Sequence, residues 1–151
     1  MTRLMKAGLL LFFFSLCGAA FIVTHRVRAP APAPQTLFAV MNEQLAAFRA
    51  ADYPGAYRYA ATGVQQKFTL PQFEKMVRRN YAELTSAQRV EFGTVEVEGS
   101  NAFVQVFFFA GDGTVRLFLY NLIAEEDGWK IAGVEELSGY RKASRASGTR
   151  V

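Results

Sequence analysis

Two apolar runs separated by a Gly-Asp-Gly turn constrain this chain more than any of its other features. The runs span residues 101–110 and 114–124 and are rich in Phe, Val, Leu and Ile. Such runs around a glycine-containing turn are a strong β-hairpin signal. Residues 103–109 are apolar on both faces of a strand except at Gln105. We therefore expect this strand in the middle of a sheet with both faces covered.

The apolar residues on either side of this hairpin repeat with a period of two. Before the hairpin, the apolar residues that should face the core change from even to odd positions between Phe92 and Val95, across Gly93-Thr94. One extra residue in a strand causes such a flip, so we predict a β-bulge or a sharp bend there. Trp129 opens a last strand after an acidic turn, and the pattern fades by residue 137. The four strands are therefore predicted to form an antiparallel meander.

Residues 35–86 instead show helical periodicity. Four apolar residues at helical spacing predict a first helix over residues 36–50, namely Leu37, Met41, Leu45 and Phe48. Asp52 can cap a short second helix, which runs to about residue 60 and is ended by Gly63. Thr69 and Gln72 have the spacing of a capping box, which predicts a third helix over residues 70–80. The predicted fold class is α+β, with three N-terminal helices packed on a curved four-stranded antiparallel sheet.

Residues 1–25 are predicted to be a signal peptide or a transmembrane anchor. Arg3 and Lys6 precede an uncharged run over residues 7–23, which as a helix reaches about 25 Å, the short limit for crossing a bilayer core. Cleavage after Ala19 or Ala20 is one interpretation. We favour an uncleaved anchor because residues 21–23 prolong the apolar run. The domain is then expected in the bacterial periplasm, tethered to the inner membrane, or periplasmic or secreted if the segment is cleaved.

Residues 26–34 form a Pro/Ala-rich linker, whose alternating prolines favour extended polyproline II. Residues 139–151 are predicted to be a basic, disordered tail. The net charge is +4, but four basic residues flank the N-terminal apolar run and four lie in the tail. The part between keeps nine basic residues against all thirteen acids. This acidic body argues against a nucleic-acid partner, whereas basic flanks suit anionic lipid headgroups.

Two stretches of residues 35–138, the predicted domain, carry a resemblance to a known superfamily. The first is residues 44–53 with Ala56-Tyr57 and residues 73–77, and the second is the Asp-Gly-Trp-Lys-Ile sequence at residues 127–131. They resemble the nuclear transport factor 2-like superfamily of cystatin-related α+β cones. More narrowly, the chain is similar to a bacterial family of unknown function within it. The resemblance implies a curved sheet wrapped on a long helix, with a pocket in the cone.

The superfamily includes steroid isomerases and polyketide cyclases as well as non-enzymatic scaffolds. The resemblance implies a pocket Asp or His as the base of such enzymes, but the domain has no histidine because His25 lies in the linker. Asp52 could reach a pocket, although helix capping explains it. No catalytic residue, metal site or cofactor is predicted, since no motif for one is present. Three residues are predicted to line a ligand pocket: Tyr57, Gln105 and Asn121.

These observations lead to two hypotheses from different classes. The first is an exported, membrane-tethered module without catalytic machinery, which binds a small ligand or another protein. The second is a pocket enzyme of the polyketide-cyclase or steroid-isomerase type, which uses Tyr and Asp without His. A cavity with convergent polar groups and a buried acid would favour the enzyme. An exposed apolar sheet face would favour pairing with a partner, or a homodimer through that face.

Overall fold

The apolar stripe at the start of the domain forms its first helix. The structure is a computed structural model that describes residues 31–137. Helix α1, Pro34–Arg49, buries the four predicted residues, each at most 3% exposed: Leu37, Met41, Leu45 and Phe48. It begins slightly before the predicted start because Pro34 fits the first helical turn, where its missing N–H is not needed.

Four further helices follow, so residues 31–137 contain five helices rather than the predicted three. They are α2 (Tyr53–Arg58), α3 (Thr62–Lys67), α4 (Leu70–Asn80) and α5 (Ala82–Ser86). The bounds predicted for the helix over residues 70–80 are confirmed by α4. The prediction that Gly63 ends the second helix is wrong, since α2 ends earlier and Gly63 lies inside α3.

Pairing with the sheet separates α2 from α3. The Ala61 N–H donates a hydrogen bond to the Ile131 carbonyl at 2.8 Å, and the Ile131 N–H donates to the Tyr59 carbonyl at 2.8 Å. These bonds make a parallel bridge between Ala60 and Ile131 and leave Ala61 in an extended conformation. The partner strand lies far along the chain, so local sequence signals did not reveal this break.

Two of the predicted helix caps are present. The Gly55 N–H donates to a carboxylate oxygen of Asp52 at 2.9 Å and satisfies a free donor at the start of α2. The Thr69 N–H donates to the side-chain oxygen of Gln72 at 2.9 Å, the contact expected of a capping box. The sequence interpretation of Asp52 as a helix cap is therefore confirmed.

The second half of the domain is a four-stranded antiparallel sheet. Its strands are β1 (Arg89–Glu98), β2 (Asn101–Phe109), β3 (Val115–Glu125) and β4 (Gly128–Glu136). The order β1-β2-β3-β4 confirms the predicted meander and places the two apolar runs in the centre of the sheet. The predicted bulge in β1 is also confirmed, because the pairing with β2 shifts between Phe92 and Val95.

A second bulge in β4 was not predicted. Asn121 pairs with Gly133 and Leu122 pairs with Ile131, which leaves Ala132 as an extra residue on β4. The sequence gives little sign of it, because residues 132 and 133 are Ala and Gly, which do not show which positions of the strand face the core. This bulge lies on the wall of the cavity described below.

The core lies between the helices and one face of the sheet, here called the inner face. In β2 and β3 the residues of the inner face alternate with half-exposed residues of the outer face. Val104, Val106 and Leu122 on the inner face are fully buried. Phe103 and Leu119 on the outer face are half-exposed, so the expectation that both faces are covered is not met within residues 31–137.

Some predicted segments lie outside the described residues. These are the predicted signal or anchor over residues 1–25, most of the linker, and the tail over residues 139–151. Among residues 31–137, none of the helices combines the length and the apolar character needed to cross a membrane.

Candidate ligand-binding site

An apolar cavity of about 180 Å³ lies where the helices meet β4. Phe48 of α1 and three residues of α4, Phe73, Met76 and Val77, line one side. Residues 131–134 of β4 line the other side, and the bulge in that strand is therefore part of the wall. Pockets for whole drug-sized molecules are larger, about 300 Å³ or more. The cavity suits a small ligand or one part of a longer ligand.

Two polar side chains interrupt the apolar wall. Gln44 on α1 is 3% exposed and donates from its amide nitrogen to the Ala56 carbonyl at 3.2 Å. No described residue donates a hydrogen bond to its amide oxygen. The Tyr81 hydroxyl donates to the Val134 carbonyl at 2.9 Å and ties the start of α5 to β4. The cavity thus combines an apolar surface with an acceptor on Gln44 that no residue in 31–137 uses, a combination typical of ligand pockets.

A third polar group, the hydroxyl of Tyr120, is buried in the inner face of the sheet beside this wall. Tyr120 pairs across the strands with Val134, which lines the cavity. Its hydroxyl is fully buried and has no hydrogen-bond partner among the described residues. Burial, together with the nearby Tyr81 phenol, raises the pKa of Tyr120 above its ordinary value. The phenol therefore stays neutral over the physiological pH range.

The wall of the cavity contains no carboxylate, imidazole or thiol among the described residues. Asp52, the acid that the sequence placed nearest to a pocket, is exposed and caps α2. Within residues 31–137, no group of His, Cys, Asp and Glu residues is arranged to hold a metal ion. The side chains present can enclose an apolar group, and the amide oxygen of Gln44 can accept a hydrogen bond from a polar atom attached to that group.

The three residues predicted to line a pocket do not converge on this cavity. Tyr57 stands behind its wall, with its ring 5.2 Å from the ring of Phe73 and its hydroxyl 2.6 Å from the Phe68 carbonyl. Gln105 and Asn121 lie on the outer face of the sheet, which faces away from the helices. Their ligand-binding role stays a prediction.

The outer-face residues have surroundings of their own. Gln105 borders a shallow depression of about 440 Å³ beside the acidic residues of β1. The side-chain oxygen of Asn121 is buried without a hydrogen-bond partner among the described residues. It lies opposite Gly133, next to the bulge in β4. Neither residue can contact a ligand in the cavity, because the sheet lies between.

Sequence reasoning missed Gln44 and Tyr81, although Gln44 carried a usable signal. It is three residues after Met41 and four before Phe48, so it falls on the buried stripe of α1. A polar residue at such a position must find a partner or line a cavity. Tyr81 continues the apolar stripe of α4, four residues after Val77, but its hydrogen bond to β4 depends on distant sequence.

Comparison with known sequences identifies the family. The sequence profile of a family described as a domain of unknown function, DUF4864, matches residues 30–144. The chain belongs to the DUF4864 family. No curated protein matches the chain.

A solved structure shows that this DUF4864 domain has a nuclear transport factor 2-like fold. It is the crystal structure of a protein from Campylobacter jejuni described as an NTF2-like transpeptidase. It shares 12% identity over 68% of this chain and 99% of its own, with a TM-score of 0.50. A solution structure of a SEC-C motif containing protein from Rhodopseudomonas palustris matches at 14% identity, over 80% and 88% of the two chains, with a TM-score of 0.48. At these identities the likeness concerns the fold alone.

Proposed function

We propose that the domain is a non-catalytic module that binds a small apolar ligand in the cavity between α1, α4 and β4. The observation that supports this most is the composition of the wall, which is apolar except for Gln44 and Tyr81. An engineered cavity of about 150 Å³ lined by Leu, Ile and Phe binds benzene, so a volume of this size is enough for a small apolar group.

The absence of an acid from the described wall supports binding over proton transfer. A carboxylate that abstracts a proton must lie within hydrogen-bond reach of the reacting group. Asp52 does not line the cavity, and its carboxylate is engaged by Gly55 at the start of α2. The alternative of a cyclase- or isomerase-like enzyme would therefore need tyrosines alone to do the chemistry.

Methyl NMR of the full chain tests the proposal, because the domain contains a probe and a matched control. The side chain of Ile131 lines the cavity, whereas Ile123 lies on the outer face of β3. We expect 1-octanol to shift the δ1-methyl signal of Ile131 in a saturable way and to leave Ile123 unchanged. Equal, non-saturating shifts of both signals would show unspecific partitioning and would contradict the proposal.

A pair of substitutions on α3 locates the binding. Val64 lines the cavity and is half-buried, so the Val64→Trp substitution should fill part of the space and abolish the shift of Ile131. Gln66 is exposed on the same helix, and Gln66→Trp should leave octanol binding intact. Unchanged binding in the Val64→Trp variant would place the ligand elsewhere.

The location and assembly of the module are a separate part of the proposal. We propose that residues 1–25 tether the domain to the bacterial inner membrane, which is supported by residues 21–23 because they prolong the apolar run. The intact mass of the protein from its native membrane should equal that of the full chain. A mass that lacks the first 19 or 20 residues would instead show a cleaved signal.

We also propose a homodimer through the outer face of the sheet, because half-exposed apolar residues lie there.

A further inference from the structure

The cavity adjoins a second surface feature, which carries positive charge. A groove of about 460 Å³ runs along α4 and is lined by Gln72, Lys75, Arg79 and Asn80. Phe68 and Met76 line this groove and also line the apolar cavity. These two half-buried side chains therefore form the partition between an apolar interior and a basic exterior.

Within the described part of the chain, the basic residues of the groove lack the ion-pair partner that their neighbour Arg78 has. Arg78, on the same helix, pairs with Glu74 at 2.9 Å, and its guanidinium lies 4.5 Å from the ring centre of Tyr53. Lys75 and Arg79 form no ion pair with any described residue. They are four residues apart and share one face of α4, where like charges repel each other. An anion between them would relieve this repulsion.

A third cation lies next to the partition. The ammonium group of Lys67, the last residue of α3, is 5.3 Å from the centre of the Phe68 ring. No carboxylate lines the groove among the described residues. The outside of the partition is thus positive, and the inside is apolar and free of charge.

We propose that the ligand of this site is an amphipathic anion. Its apolar part enters the cavity past Phe68 and Met76, and its acidic headgroup stays outside between Lys75 and Arg79. The inference rests on the proposed function, because it assumes that the cavity binds an apolar group. It adds the charge and the orientation of the ligand. The small volume of the cavity is consistent with a ligand of which only one part is enclosed.

Three probes with the same alkyl chain and different headgroups test this inference on the full chain. They are octanoate, 1-octanol and octylammonium, and the shift of the Ile131 methyl signal reports binding of each. Two unit charges in contact in water attract by an energy that corresponds to about a fivefold change in affinity. We expect octanoate to bind about 25-fold more tightly than octanol, because it faces two cations at about fivefold each, and octylammonium to bind more weakly than octanol.

Charge-removing variants assign the effect to the groove. Lys75→Gln and Arg79→Gln should each weaken octanoate binding about fivefold and leave octanol binding unchanged. Arg89→Gln is the matched control, since it removes one positive charge from β1 without touching the groove. We expect it to change neither affinity. Added salt should weaken the binding of octanoate and not that of octanol.

The outcomes separate this inference from the proposed function. If octanol and octanoate bind equally well, or if the Lys75 and Arg79 variants bind octanoate like the original chain, the anionic ligand is ruled out and the apolar site remains. If none of the three probes shifts Ile131, both the site and its ligand class are wrong. Equal effects of the Arg79→Gln and Arg89→Gln substitutions would show a general charge effect and would also overturn the inference.

Discussion

The inner and outer faces of strands β2 and β3 are similar in residue type and very different in environment. Val104, Val106 and Phe118 on the inner face are at most 1% exposed, because the helices pack against them. Phe103, Phe107 and other large apolar residues alternate with them on the outer face and remain half-exposed. Hydropathy therefore predicts that these strands are central, but not which face the helices cover.

The largest expected effect comes from shortening one leucine on each face of the same strand. Leu122 on the inner face of β3 is fully buried, so Leu122→Ala should lower the free energy of unfolding by about 2–5 kcal/mol. Leu119→Ala on the outer face should cost about 1 kcal/mol, since the side chain already contacts solvent. Urea unfolding followed by the fluorescence of Trp129, the single tryptophan, measures both values. Equal losses would mean that the two faces are equally packed in the protein.

Much of the fold could be predicted because its signals are local. The stripe of α1, the cap at Asp52 and the hairpin at residues 111–113 depend on residues close in sequence, and all were found. The break between α2 and α3 could not be predicted, because it depends on hydrogen bonds to Ile131 in the last strand. The outer face was misjudged for the same reason, since exposure depends on where other elements pack.

The ring of Phe107 lies close against Gly93 on the outer face of the sheet. A methyl group on Gly93 in the β1 bulge would lie 2.9 Å from a ring carbon of Phe107 and 3.3 Å from the β-carbon of Gln105. We expect Gly93→Ala to destabilise the fold by about 1–3 kcal/mol, because the Phe107 ring must move. The same urea titration measures the effect.

Gly63 provides the control for Gly93. It lies inside α3 with open space around it, so Gly63→Ala should stabilise the domain by about 0.5–1 kcal/mol through helix propensity. A neutral effect at Gly93 together with a gain at Gly63 would show that Phe107 has room to move. The outer face would then be loosely packed even at the bulge.

The hydroxyl of Tyr120 is a buried polar group on the otherwise apolar inner face, without a hydrogen-bond partner among the described residues. Because burial raises the pKa of Tyr120 only in the folded state, the unfolded chain loses this proton first as the pH rises through about 10. The stabilising effect of the neutral phenol is complete below that pH. Above it, the free energy of unfolding should fall by up to about 1.4 kcal/mol per pH unit.

Tyr120→Phe should remove this part of the alkaline loss. At neutral pH the substitution should change stability by less than about 1 kcal/mol, because the hydroxyl has no partner among the described residues. Unfolding of both proteins between about pH 8 and pH 11, on either side of the ordinary tyrosine pKa of about 10, gives the difference. A large loss at neutral pH would reveal a hydrogen bond to an ordered water molecule.

The candidate site was harder to predict than the fold because it combines residues from distant elements. The cavity takes its wall from α1, α3, α4, α5 and β4, and only their packing brings Gln44 and Tyr81 to one space. Polar residues in apolar strands drew attention to Gln105 and Asn121, which the fold places on the outer face. Buried polar residues do mark candidate sites. Applying this rule to the buried stripe of α1 would have identified Gln44.

The smallest expected effect on stability comes from a charged side chain placed on the outer face. The same substitution tests whether solvent or a second copy of the chain covers that face. Leu119 pairs with Glu135 on β4, so the ammonium group of a Leu119→Lys variant would face an opposite charge. We expect a change of at most about 0.5 kcal/mol if solvent covers the face. Leu119→Glu is the control, which places like charges opposite each other and should be slightly less stable. Light scattering of the full chain gives its mass. If the original chain is a dimer and Leu119→Lys is a monomer, the outer face is an interface between two copies. Its apolar residues are then needed for assembly, as those of the inner face are needed for the core.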